Sequence, residues 1–134
     1  MAAHLAKLLA EAAGAYVGRV DRLVPLPLHP AKLRERGFNQ VAVLARPLAR
    51  RLGVPFDVGA LRRVRRTAPQ AGLEREARLA NVRGAFRCRS GVDDRILLVD
   101  DVRTSGATLA EAALTLRAGG AAQVYTLALA FAQA

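Results

Sequence analysis

The stretch Ile96-Leu97-Leu98-Val99-Asp100-Asp101-Val102-Arg103-Thr104-Ser105-Gly106-Ala107-Thr108-Leu109 decides how the rest of this chain is read. Its first four residues form a continuous branched apolar run, the pattern of a strand buried on both faces in a parallel sheet. Two adjacent carboxylates, Asp100 and Asp101, end that run abruptly. A small hydroxyl-bearing segment follows and opens a helix from Thr104 to Arg117. Leu109, Ala112, Ala113 and Leu116 share one face of it, and Gly119-Gly120 stops it. Open α/β sheets bind ligands outside the carboxyl ends of their strands. Here that end joins two acids to a helix start rich in N–H and hydroxyl donors. The donors suit a phosphate monoester. Like charge keeps the carboxylates off that phosphate, so they suit sugar hydroxyls or a metal ion. A ribose carrying a 5′-phosphate satisfies both halves. The alternative is an ordinary strand-end turn with Thr104 or Ser105 as a helix cap. The conjunction of apolar run, paired acids and Thr-Ser-Gly-x-Thr weighs against it. Gly-x-x-x-x-Gly-Lys and Gly-x-Gly-x-x-Gly, the standard nucleotide loops, are both absent.

Working outward, strands alternate with helices. The spacing of Leu5, Leu8, Leu9 and Ala12 predicts a helix over Ala2–Val17. Asp21–Pro27 reads as a short apolar strand, and the basic, unpatterned Ala31–Arg36 as a loop. Helical spacing resumes from Phe38 to Leu52, with Gly53 at its end and a kink expected near Pro47. Val58–Val64 is a candidate strand. Arg65–Asn81 reads as a long mobile loop ending in a short helix around Glu74–Leu79. Ala85–Arg89 and Val124–Phe131 are the remaining strands, with a turn at Gly91–Asp94. The class is α/β with a mostly parallel central sheet, in one domain spanning 1–134.

Composition narrows the partners. The chain has 134 residues and 52% hydrophobic residues, which excludes disorder and allows a core without staples. Its one cysteine, Cys88, excludes a disulfide framework and a multi-cysteine zinc site. With Lys7 and Glu11 inside the first apolar stretch there is no secretory pattern, and no run is long enough for a membrane span. A cytoplasmic protein is the expectation. The net charge is +10, almost all of it arginine, and it is uneven. Residues 32–66 hold ten basic and two acidic residues, whereas 96–134 are slightly acidic. Such a field implies polyanionic partners: phosphate esters, nucleic acid or acidic lipid headgroups. Arg62, Arg63, Arg65 and Arg66 read equally as a nucleic-acid patch or as a solvated edge strand. With 4% aromatic residues and no tryptophan, a base-stacking groove is poorly supplied. His4, His29 and Cys88 read as surface or packing residues.

The Ile96–Leu109 stretch resembles the phosphoribosyl pyrophosphate (PRPP) binding motif of type I phosphoribosyltransferases. The wider chain resembles the ComF competence family of that group. Val24-Pro25-Leu26-Pro27, Arg36-Gly37-Phe38-Asn39-Gln40, Gln70-Ala71-Gly72-Leu73 with Arg78, and Asn81-Val82-Arg83-Gly84-Ala85-Phe86 carry that likeness over about residues 20 to 131. The resemblance implies a Rossmann-like phosphoribosyltransferase fold with a mobile loop or small hood over the reaction centre. It implies that Asp100 and Asp101 hold the ribose hydroxyls and that Thr104, Ser105, Gly106, Ala107 and Thr108 cradle the 5′-phosphate. Lys32, Arg34 and Arg36 would face the pyrophosphate, so Asp100, Asp101 and Arg36 are the implied catalytic set. Mg²⁺ would arrive with PRPP rather than in a protein cage. The implied reaction is displacement of pyrophosphate from the ribose by a nucleophile.

Two departures accompany the likeness. Purine-salvage relatives carry an aspartate where this chain has Thr104, so no general base for a nucleobase is visible. ComF proteins commonly begin with a four-cysteine zinc-binding segment, which the single cysteine here does not match. That family is associated with DNA uptake in natural transformation. The alternative reading is therefore a nucleic-acid-handling protein on the same fold, with single-stranded DNA as partner and little turnover. A homodimer is compatible with either reading.

Overall fold

The computed structural model describes residues 2–37, 39–65, 67, 73–101 and 106–129, with only the backbone of 2–5, 32, 36, 40 and 44. Ten elements follow in chain order: α1 (Ala2–Tyr16), β1 (Arg22–Pro25), α2 (Pro30–Arg36), α3 (Gln40–Leu52), β2 (Leu61–Arg63), α4 (Arg75–Val82), β3 (Phe86–Cys88), β4 (Arg95–Asp101), α5 (Gly106–Ala118) and β5 (Gln123–Leu129). β4 is central in a parallel sheet of order β1-β4-β5, with Leu23 opposite Leu97 and Leu98 opposite Thr126. Phe56 adds a single parallel bridge to Leu23 at the outer edge. β2 and β3 form a separate antiparallel ribbon.

The apolar run of β4 sets the layering. Ile96 and Leu98 face one core with Val24, Phe86, Ala112 and Leu116, while Leu97 and Val99 face the other with Leu9, Leu23, Leu48 and Leu129. All four β4 residues are fully buried. So α1 and α3 cover one face, and α5 with the ribbon covers the other. At the far end of α5, a Cβ on Gly119 would lie 2.8 Å from the Cys88 Sγ, so only glycine lets the helix end pass the ribbon this closely.

The boundaries show where periodicity misleads. Ala31–Arg36, expected as a loop, is part of helix α2. Seven residues are too few to display an apolar period, and the helix is marked at its ends instead. His29 Nδ1 accepts from the Ala31 N–H at 3.1 Å, Pro30 occupies the first turn, and Gly37 closes it at φ 79°. α3 runs through Pro47 without a break. The missing N–H there strands a carbonyl on the turn of the exposed Val43, where water can take it. The Val58–Val64 strand shrinks to Leu61–Arg63, and the short helix expected around Glu74–Leu79 extends to Val82. The last strand ends at Leu129 among the described residues, and Ala130 and Phe131 lie outside them.

An ion cluster fastens the ribbon to the amino end of the sheet. The Arg22 guanidinium reaches Asp57 at 2.6 Å and Asp94 at 3.1 Å, and Arg89, just past β3, also binds Asp57. Burial alone would lower Arg22, but the bonds from Asp94 and Asp57 hold it above its ordinary value. Beside it, Arg95 grips Asp21 through two 2.9 Å bonds, and hydrogen bonding from Arg95 pulls that carboxyl down to about 2.

Hydrogen bonding from Arg89 holds Asp57 below its ordinary value of 3.8, against the opposing effect of its burial. A carboxylate lowered in this way contributes stability above its unfolded value, and loses it as pH falls through the folded one. Asp57→Asn should cost about 2 kcal/mol at neutral pH, the scale of hydrogen bonds to charged groups. Urea unfolding should show that difference at pH 7 and show it shrinking on acidification below 3.8.

Candidate functional site

The carboxyl end of β4 lies where the loop after β1 and the start of α5 converge. Leu26 N–H bonds the Val99 carbonyl at 2.8 Å, so the chain leaving β1 passes directly beside the two acids. Asp100 is buried, at 3% exposure, and Asp101 is half-buried one residue further on. Of the expected phosphate segment, Thr104 and Ser105 lie outside the described residues, as do Val102 and Arg103. Gly106 opens α5 in an exposed position, Ala107 is half-buried, and Thr108 is buried at 3% exposure.

Asn39 ties the neighbouring helix to this end of the sheet. Its Oδ1 accepts from the N–H groups of Val41 and Ala42 at 3.0 and 3.3 Å, capping α3. Its Nδ2 donates to the Leu26 carbonyl at 3.2 Å. One side chain thus starts a helix and orients the loop after β1.

That loop is one wall of a cavity of about 630 Å³. Pro27 and His29 line it with Leu33 of α2, Asn39, and Leu61 and Arg63 of β2. Of the basic residues expected at a pyrophosphate, Arg34 is exposed on α2 and is not among the lining residues. Lys32 and Arg36 lie on the same helix, with side chains outside the described residues. The arginines that do line the cavity are Arg62, which is exposed, and Arg63, which is half-buried. The Arg63 guanidinium stacks on Phe86 at 5.2 Å and donates to the Thr67 hydroxyl at 2.9 Å. Its Nε is buried with no hydrogen-bond acceptor among the described residues. Burial pushes Arg63 below the ordinary arginine value, and attraction to Asp100 opposes that shift.

The sequence placed Arg63 in a surface cluster, and the structure divides that cluster. Arg65 donates to the carbonyls of Asn81 and Arg83 at 2.8 and 2.6 Å, closing the carboxyl end of α4. Arg62 is exposed, and Arg66 lies outside the described residues. Burial separates these neighbours, and consecutive arginines carry no signal of it.

Comparison with known proteins supplies the family. The chain is 43% identical over 105 residues to the DNA utilization protein YhgH of Salmonella typhi, covering 78% of this chain and 46% of the relative. Competence protein F of Haemophilus influenzae is 34% identical over 114 residues, covering 82% and 50%. Competence protein ComFC of Streptococcus pneumoniae is 33% identical over 110 residues, covering 81% and 47%. The chain belongs to the ComF family. It spans about half the length of these curated relatives. No protein-family model matches it. Within this ComF chain, no described helix is long and apolar enough to cross a membrane.

Asn39→Ala removes both the cap and the bond to Leu26. It should lower stability by about 1–2 kcal/mol, the usual cost of a lost cap, measured by urea unfolding. Asn39→Asp, which keeps the cap but cannot donate to Leu26, should recover roughly half of that loss.

Proposed function

We propose that this ComF chain binds a ribose 5-phosphate group at the carboxyl end of β4, on a type I phosphoribosyltransferase fold, with PRPP as the ligand class. The observation that carries this reading is the pair Asp100–Asp101, ending a fully buried central strand directly before the Thr104–Thr108 segment and α5. Asp101, half-buried at the edge, accepts from the ribose hydroxyls, and Asp100 fixes the end of the strand beneath it. Thr104, Ser105, Gly106, Ala107 and Thr108 take the 5′-phosphate. Arg63, whose buried Nε has no acceptor among the described residues, supplies positive charge in the cavity along the loop after β1.

In a transferase reaction the bond from ribose C1 to the pyrophosphate oxygen breaks, and the leaving group takes the electron pair. A bond from C1 to the nucleophile forms, and the nucleophile gives up its proton. The work of the protein is then to hold the sugar and to neutralise charge gathering on the leaving group. Lys32, Arg34 and Arg36 on α2 are further candidates for that second task. Among the described residues no three acids, histidines or cysteines come together, and one or two carboxylates suit a Mg²⁺ that keeps its waters and rides on phosphates. Bound with PRPP, Mg²⁺ supplies charge neutralisation at the departing oxygens.

The second reading is DNA handling on the same fold. Relatives named for DNA utilization and competence favour it, as does the concentration of arginine in residues 32–66. A phosphate-binding site serves both readings.

Calorimetric titration of PRPP with Mg²⁺ tests the first. Binding is expected at millimolar ligand or below, and folded protein that shows none sinks the reading. Asp101→Asn should weaken PRPP binding about tenfold, the scale of one hydrogen bond to a charged group, without changing the unfolding midpoint. For the second, single-stranded DNA binding should fall with salt on a log–log slope of about −2 to −4, corresponding to a few neutralised phosphates. A flat response removes it.

A further inference from the structure

A second cavity, of about 410 Å³, opens between α4 and α5. Arg75, Arg78 and Leu79 form one wall, and Gly106, Ala107 and Ala110 form the other. Arg75 and Arg78 are three residues apart on a helix and so project on the same side. The Arg78 Nε donates to the Leu73 carbonyl at 2.7 Å, which anchors that guanidinium beside the cleft. None of the described lining residues is acidic. The opposite wall is small enough for a backbone to lie against it.

The position of this cleft matters more than its volume. Gly106 and Ala107 belong both to its wall and to the proposed phosphate segment. The cleft therefore leads directly out of the place assigned to the 5′-phosphate. Ribose 5-phosphate and PRPP both terminate at that phosphate, and neither has a group that would continue between two arginines. A phosphodiester does continue. At the other side of the sugar, Asp101 would repel a 3′-phosphate but accept a hydrogen bond from a 3′-hydroxyl.

We propose that the α4–α5 cleft carries the backbone of a single strand of DNA whose 3′-terminal nucleotide occupies the ribose site. The terminal 3′-hydroxyl donates to Asp101, the terminal 5′-phosphodiester lies at Gly106–Thr108, and the preceding phosphate meets Arg75 and Arg78. This assignment rests on the ribose-phosphate reading above. It also gives the two readings one site, because a strand end and PRPP would exclude each other. Among the described residues no aromatic side chain lines the cleft, so recognition is of the backbone and the end, and is indifferent to base sequence.

Fluorescence anisotropy with a 5′-labelled twelve-nucleotide strand tests the proposal. A strand ending in a 3′-hydroxyl should bind about tenfold tighter than the same strand ending in a 3′-phosphate, since one charge-assisted hydrogen bond is exchanged for repulsion. Ribose 5-phosphate should displace the strand. Arg75→Glu with Arg78→Glu should weaken strand binding at least about tenfold and reduce the salt slope by about 2. Calorimetric binding of ribose 5-phosphate should stay within twofold. Arg75→Gln with Arg78→Gln should act in the same direction, and serves if the charge-reversed protein does not fold. Equal binding of the two strand ends, or strand binding unchanged in the arginine variants, overturns the proposal even where ribose 5-phosphate binds. Folded protein that binds neither ribose 5-phosphate nor PRPP overturns the underlying reading of the site, and this inference with it.

Discussion

The burial of β4 on both faces is the constraint from which the rest of the structure follows. Ile96, Leu97, Leu98 and Val99 alternate between two cores, so neither side of the strand can face water. That demand places helices on both faces and puts β1 and β5 on either edge in parallel register. Parallel strands end on the same side of the sheet. The loop after β1, the two acids and the start of α5 therefore meet because of an apolar run four residues long. The site is a by-product of how this strand is buried.

This explains which parts could be read in advance. Ile96–Val99 announces its strand because four consecutive branched residues have few other destinations, and Asp100-Asp101 announces the strand end because charge does not follow into the core. The helix after it was legible from Leu109, Ala112, Ala113 and Leu116. α2 was not, because its determinants are a histidine acting as a cap, a proline and a glycine, with no apolar face to reveal. The ribbon was half legible. Two strands of three residues each leave little period to see, and their pairing joins residues far apart in the chain. In the candidate site, spacing singled out the acids, and the structure puts them at the end of β4, ahead of α5. The burial of Arg63 was hidden, because its distinction from Arg62 and Arg65 lies in what packs around it.

The arginine excess likewise separates into kinds once its surroundings are known. Arg22, Arg89 and Arg95 hold carboxylates, and Arg65 closes a helix end. Arg46 covers Phe56 at 4.8 Å, as Arg63 covers Phe86. These side chains are engaged within the protein, as partners of polar groups or as covers over aromatic rings. Arg75 and Arg78 differ in lining an open cleft with no acid among its described wall residues. A net charge is thus a poor guide to a binding surface until the internally engaged cations are set aside.

The pairing of Arg22 with Asp57 has a consequence for handling the protein. Both side chains are largely shielded, at 19% and 15% exposure, so mobile ions reach them poorly. Contacts between exposed arginines and a polyanion are screened far more readily. Ionic strength should therefore act little on this pair and more on the half-exposed Arg89 that also holds Asp57. The ribbon's tie through Arg89 should accordingly loosen in salt before the pairing of Arg22 with Asp57 does.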